Sequence, residues 1–157
     1  MLPSILKKAV PSNLKLLSKV RWNGDRWRLN AADRVFLEDI VFPHFRNLSD
    51  VHTILDIGVD WYTRFYPRCF PDHDYWTIDI DPAKSRYAGA QHRTLSVTRL
   101  STAFRARQFD LIFCNGVLGW GVDSYDDVTN TFAECASVLR PGGDLVVGWN
   151  DIPEHQI

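Results

Sequence analysis

The sequence predicts an α/β protein built on a doubly wound, mostly parallel five-stranded sheet. Short apolar runs alternate with helical stretches from Val51 onward. The runs are apolar on both faces, as strands buried between two helix layers must be. The spacers between them are long enough for the crossovers that parallel neighbours require, and right-handed crossovers place helices on both faces.

Before this region, residues 1–29 read as a basic amphipathic arm. Leu6, Val10, Leu14, Leu17 and Val20 recur at helical steps, lysines lie between them, and Pro11 interrupts any single helix. Residues 1–30 carry seven basic side chains against the carboxylate of Asp25, and the rest of the chain is net negative. Two readings stay open for this arm: a solvated segment packed on the domain, or a contact with a membrane surface or a protein partner.

The domain proper is expected over residues 30–157. Its first helix starts at Asn30 as N-cap, with Val35, Phe36, Ile40 and Val41 as apolar face, until Pro43 loosens it. Strands are expected at 51–58, 74–80, 92–98, 109–116 and 143–150. The helix after the fourth strand has Ser124 as cap and Asp126 and Asp127 in its first turn, where the helix dipole favours anions. Tyr125, Val128, Phe132, Cys135 and Leu139 form its expected buried stripe, Arg140 closes it, and Pro141-Gly142-Gly143 turns the chain into the last strand.

Composition narrows the function classes. With 157 residues, 45% of them hydrophobic, the chain can bury one substantial core. The net charge of −1 argues against a general nucleic-acid binder. Apolar runs are too short to span a bilayer and no secretory signal opens the chain, so the expected compartment is the cytoplasm. Cys69, Cys114 and Cys135 have no CxxC spacing, and His44, His52, His73 and His92 are scattered; no metal site is expected.

In an open parallel sheet, ligands bind beyond the carboxyl ends of the strands, where strand order reverses. The first strand ends in Asp56-Ile57-Gly58, and the glycine lets backbone approach a ligand closely. The second ends in Asp79-Ile80-Asp81-Pro82. A carboxylate roughly twenty residues past such a glycine can accept both hydroxyls of a ribose, which makes Asp79 the candidate; Asp81 is either a second ligand or the N-cap of the next helix.

Four segments, LDIG (55–58), TIDIDP (77–82), FDLIFCNGVLGW (109–120) and LRPGGDLVVGW (139–149), stand in the order and spacing of the class I S-adenosylmethionine-dependent methyltransferases. Over residues 51–150 the chain resembles that family, in its type 11-like form. The resemblance implies a Rossmann-like core, S-adenosylmethionine as cofactor, and a small or medium-sized acceptor. It places Asp56, Gly58 and Val59 under the methionine part, Asp79 on the ribose, Ile80 on the adenine, Ser96 and Val97 at its far edge, and Asn115 and Gly116 along the methionine side.

The sequence departs from the family where Asp60 and Tyr62 replace two glycines, and at Ser96, where an acidic residue is usual. The family's C-terminal helix and strand pair are also missing before Ile157, so either the polypeptide is truncated or its exposed edge strand is covered by a partner or a second copy, as in a homodimer. Trp120, Trp149, Asn150, Asp151 and His155 are expected near the cleft mouth, with His155 a conceivable general base. No catalytic residue is assigned, since methyl transfer from a sulfonium runs largely on alignment. The alternative function is a non-catalytic methyltransferase-like binding or assembly module. A nicotinamide-dependent oxidoreductase fits worse, because no second glycine follows Gly58 before Gly89.

Overall fold

The computed structural model describes residues 20–22 and 26–149. The chain separates into two compact units, Met1–Pro43 and His44–Ile157. Most of the predicted arm, with its amphipathic repeat, lies outside the described residues.

The described part of the first unit holds a hairpin of β1 (Val20–Trp22) and β2 (Trp27–Leu29), with Trp22 opposite Trp27. The two indoles meet edge to face at 5.3 Å. Helix α1 (Ala32–Phe36) begins one residue later than predicted. Ala31 takes the extended N-cap backbone without a side-chain bond, so Asn30 is not the cap. Its predicted apolar face is also corrected: Phe36 and Ile40 are exposed, whereas Arg34, Leu37 and Glu38 are buried. Arg28 pairs with Glu38 and Asp39 at 3.0 Å each. The backbone widens into a π turn over Leu37–Val41 and then continues as α2 (Phe42–Arg46). Pro43 has no N–H for the carbonyl four residues back, and the turn before it opens rather than ends.

The second unit is the α/β sheet. Its strands are β3 (Thr53–Ile57), β4 (Asp74–Asp79), β5 (Gln91–Thr94), β6 (Phe109–Asn115) and β7 (Leu139–Gly148), all parallel, in the order β5-β4-β3-β6-β7. Successive strands run outward from β3 to β5, and the chain then returns to β6 on the other side. The reversal lies between β3 and β6. Alternation along β3 sends Leu55 and Ile57 to one face and Ile54 and Asp56 to the other.

On the first face Leu55, Ile57, Ile78, Ile112 and Cys114 pack with Leu100, Phe104, Cys135 and Val138. These come partly from helix α3 (Tyr125–Val138) and a 3-10 segment, Val97–Thr102. On the second face Phe70 stacks on Tyr75 at 5.6 Å and meets Phe113 at 5.8 Å. Both faces are covered, as the doubly wound reading requires.

Three local expectations change. Strand β5 stops at Thr94 because Ser96 caps the Val97–Thr102 segment, its hydroxyl accepting from the Thr98 N–H. The buried side of α3 is Thr131, Cys135 and Val138, whereas Tyr125 and Phe132 are exposed. The Pro141-Gly142-Gly143 segment lies inside β7: five steps from Leu139 to Asp144 span two steps of β6, and Gly142 has φ 76°. Arg140 therefore does not close the helix. Its guanidinium donates to Asp110 at 2.7 Å and Asp50 at 2.9 Å, and Asp110 also accepts the N–H groups of His52 and Thr53 at 2.8 Å. Among the described residues no helix is long and apolar enough to cross a membrane.

Candidate functional site

At the carboxyl ends of β3, β4, β5 and β6 lies a cleft of about 540 Å³, counted to its open mouth. The cavity proper is smaller, about 140 Å³, below the roughly 300–1,000 Å³ usual for small-molecule sites, so a ligand there would lie partly in the open mouth. The cleft sits at the reversal of strand order.

Its floor is the end of β3. Ile57 is core, and Gly58 takes φ 87°, a conformation that side-chain-bearing residues rarely adopt. A Cβ at Gly58 would come 3.3 Å from Val117 Cγ2, so the glycine also keeps the first and fourth loops close. Its N–H donates to the Ile78 carbonyl at 2.9 Å.

Asp79 is the only charged residue among those described along the cleft. One carboxylate oxygen accepts the Val59 N–H at 2.9 Å and the other the Asp81 N–H at 2.8 Å. A carboxylate offers about four acceptor positions. Two are used in holding the loop after β3 to the end of β4, and two remain for a ligand. Asp81 turns away to cap the 3-10 segment Pro82–Tyr87 through the Ala83 N–H at 2.9 Å. Ile80, 70% exposed, lines the cleft beside Asp79. The far side is Leu95, Ser96 and Val97; the Ser96 hydroxyl meets Thr98 Oγ1 at 2.8 Å.

The loop after β6 closes the other side. Leu118 and Val122 are buried and hold its two arms together, with Gly119 N–H donating to the Val122 carbonyl at 3.0 Å. Between them Gly119 and Gly121, at φ 77° and 103°, flank Trp120. The indole is 57% exposed and lines the cleft.

Six of the nine residues expected at a cofactor therefore surround this cleft: Gly58, Asp79, Ile80, Ser96, Val97 and Gly116. The other three do not line it. Asp56 is buried on the opposite face of β3, beside Tyr75; burial and that carboxylate push the Tyr75 phenol well above its ordinary value. Val59 is buried, and its N–H is tied to Asp79. Asn115 lies under β7: a Cβ at Gly148 would collide with its Oδ1, and its Nδ2 is buried without a hydrogen-bond partner among the described residues. Trp149 is exposed and off the cleft. Asn150, Asp151 and His155 lie outside the described residues.

The residues that replace glycines are also off the cleft. The Asp60 carboxylate accepts the Trp61 N–H at 2.6 Å and pairs with Lys84. Burial lowers the Lys84 pKa, but Asp60 and Asp79 outweigh it and hold the ammonium above its ordinary value. Trp61 and Tyr62 pack edge to face at 5.4 Å. Sequence reasoning did not single out Ile57, Ile78, Leu95, Val117, Gly121 or Val122, which make most of the apolar lining. Their signal was the ends of the apolar runs and the glycine-spaced GVLGWGV segment. Among the described residues no three His, Cys, Asp or Glu side chains gather in a metal-binding group.

Residues 55–147 match the family model described as a methyltransferase domain. A malonyl-[acyl-carrier protein] O-methyltransferase from Hahella chejuensis is 31% identical over 102 residues, covering 59% of this chain and 34% of that protein. The chain thus spans about a third of that curated relative. Among solved structures, a SAM-dependent methyltransferase from Methanosarcina mazei superposes with a TM-score of 0.57 at 19% identity, over 69% of this chain and 56% of that one. The sugar N-methyltransferase KedS8 from a Streptoalloteichus species gives 0.55 at 20% identity, over 71% and 47%. At these identities the structural likeness shows the fold.

Proposed function

Because the chain belongs to the methyltransferase-domain family, we propose that its cleft binds S-adenosylmethionine and that the protein methylates a small-molecule acceptor. The observation that carries this reading is Asp79. It is a lone carboxylate at the end of β4 in the cleft beside the strand-order reversal, with two acceptor positions left after its backbone bonds.

The remaining residues fit the same ligand in order. Asp79 would take the two ribose hydroxyls, which directs the adenine toward Ile80, Ser96 and Val97. Ile80 covers one face of that base with its exposed side chain. Gly58 and Gly116 then lie under the methionine part, where side chains would obstruct it. The bound cofactor supplies a methyl group on a positively charged sulfur. The residues described here align donor and acceptor and exclude water rather than move protons, and alignment of this kind can account for much of a rate enhancement.

The alternative, a non-catalytic module, would be favoured by Trp61 or Tyr62 filling the cofactor pocket. Asp60, Trp61 and Tyr62 do not line the cleft, and the cleft is open. The Hahella relative methylates an oxygen by its name; this chain's acceptor atom and acceptor remain part of the proposal. Calorimetric titration of the full chain with S-adenosylhomocysteine tests the cofactor reading. Saturable binding in the micromolar range is expected, and a folded sample that shows none at millimolar ligand refutes it.

A further inference from the structure

The cleft has two unlike ends. With ribose hydroxyls on Asp79, at the end of β4, the adenine can extend only outward toward the loop after β5, because the sheet order is β5-β4-β3-β6. The reactive end then lies over β3 and β6. The loop after β6 carries Trp120, so the indole borders the space through which an acceptor must arrive.

The way the indole is held argues for contact with a ligand. Leu118 and Val122 anchor the loop in the core. Gly119 and Gly121, both at positive φ, lift the single residue between them to the mouth. Trp120 N–H donates to the Val117 carbonyl at 2.9 Å, which fixes the backbone under the ring. Most of an aromatic surface of this size would ordinarily be covered. Here the residue is 57% exposed and lines the cleft next to Val117, Gly121 and Val122. The chemistry of the lining narrows what can sit on it. Among the described lining residues there is no lysine, arginine or histidine to hold an anionic acceptor, and the one carboxylate is engaged at the other end. An indole face in an uncharged wall recognises flat π-systems by offset or edge-to-face stacking.

We propose that Trp120 forms the acceptor-facing wall of the cleft and selects an uncharged acceptor that carries a flat, conjugated ring beside the atom to be methylated. The inference rests on the cofactor reading above and deepens it.

The test uses the full chain saturated with S-adenosylhomocysteine and three probes that share one carbon skeleton: 2-naphthol, its anionic counterpart 2-naphthoate, and the non-planar decahydro-2-naphthol. Calorimetry or ligand-observed NMR measures each against the wild type, Trp120→Phe and Trp120→Ala, with circular dichroism melts to verify folding. The expected result, with every variant saturated with S-adenosylhomocysteine, is binding of 2-naphthol about tenfold tighter than either other probe, retained within about threefold by Trp120→Phe and weakened about tenfold by Trp120→Ala. Unchanged 2-naphthol binding by a folded Trp120→Ala variant overturns the assignment, as does equal binding of the non-planar probe. A parallel loss of S-adenosylhomocysteine affinity in that variant also overturns it, because the indole would then cover the cofactor. Failure of the wild type to bind S-adenosylhomocysteine at all overturns the cofactor reading and this inference with it, so the two failures are told apart by the first titration.

Discussion

Replacing Asp79 tests two consequences of one carboxylate, and they can be measured separately. Its two oxygens accept the Val59 and Asp81 N–H groups at 2.9 and 2.8 Å. Hydrogen bonds to a charged group contribute roughly 1.5–3 kcal/mol each. Asp79→Asn retains one acceptor oxygen but turns an NH₂ toward one of the two N–H groups, so one bond is lost and about 1.5–3 kcal/mol of stability with it. Asp79→Ala loses both. Water reaches this half-exposed site and replaces part of the bonding, so about 2–3 kcal/mol is expected there rather than the full sum. Ligand affinity is the second consequence. Loss of the ribose contacts in Asp79→Ala weakens S-adenosylhomocysteine by roughly 1.5–3 kcal/mol, about 10- to 150-fold in Kd. Urea denaturation gives the first quantity and calorimetry on the same folded sample the second. A folded Asp79→Ala variant with wild-type affinity would show that the ribose is held elsewhere. Unchanged stability would show that the carboxylate does not clasp the loop after β3 to β4.

Three further outcomes follow from the sheet itself. Gly143→Ala would bring a Cβ to 2.7 Å from the Asp110 carbonyl, a backbone atom that cannot turn aside, so a loss of about 1–3 kcal/mol in urea denaturation is expected; a variant as stable as wild type would refute that packing. Burial raises the Asp110 pKa, but the Thr53 and His52 N–H groups and Arg140 outweigh it and hold the carboxyl below its ordinary 3.8. The folded state then binds fewer protons than the unfolded one, so this stabilisation is full above pH 3.8 and is lost as pH falls through the lower folded value. Asp110→Asn should be less stable at pH 6 and should lack that acid-dependent component in urea titrations between about pH 2 and 5; a parallel pH dependence in both proteins would refute the assignment. Burial pushes the Cys114 and Cys135 thiols up to about 12, so at pH 8 a disulfide reagent should label Cys69 in the native protein and all three only after unfolding, and rapid native labelling of all three would overturn the core placement.

The sheet was legible because its strands are buried on both faces, and continuous apolar runs such as Leu111–Cys114 are what such burial demands. Gly58 and Asp79 were legible as cleft-lining residues because the carboxyl ends of parallel strands beside a reversal of strand order are where a crevice forms. Tertiary context decided the rest. The run 92–98 is apolar enough for a longer strand, but the Ser96 hydroxyl finds the Thr98 N–H and begins a helical segment instead. The stripe on α3 was read as Tyr125, Val128, Phe132, Cys135 and Leu139, and of these Cys135 is buried and Val128 and Leu139 pack on the core, whereas Tyr125 and Phe132 are exposed. The helix turns Thr131, Cys135 and Val138 to the sheet, small side chains that allow close approach. The hairpin of β1 and β2 was missed although Asn23-Gly24 between two tryptophans is a recognised hairpin signal in sequence. Asp56 was placed at the cofactor by its neighbourhood to Gly58, but the two-residue period of a strand sends its side chain to the face opposite Ile57.

Hydrogen bonds within the glycine-poor loop after β3 explain why it need not block the cleft. Glycines at positions 60 and 62 would leave that loop to be shaped by backbone alone. Here Asp60 shapes it with backbone and side-chain bonds together: its backbone carbonyl accepts the Thr63 N–H at 3.0 Å, its backbone N–H donates to Thr63 Oγ1 at 2.9 Å, and its carboxylate takes the Trp61 N–H and Lys84. The two carboxylate bonds hold the Asp60 side chain to the loop itself and to the segment after β4, and Asp60 does not line the cleft. Gly58 must stay a glycine, because a positive φ and the close Val117 methyl coincide there; Gly116, Gly119 and Gly121 in the loop after β6 also take positive φ. The bulk at 60–62 is thus compatible with an open cleft, and the loss of two glycines changes how the loop is held rather than whether a ligand fits.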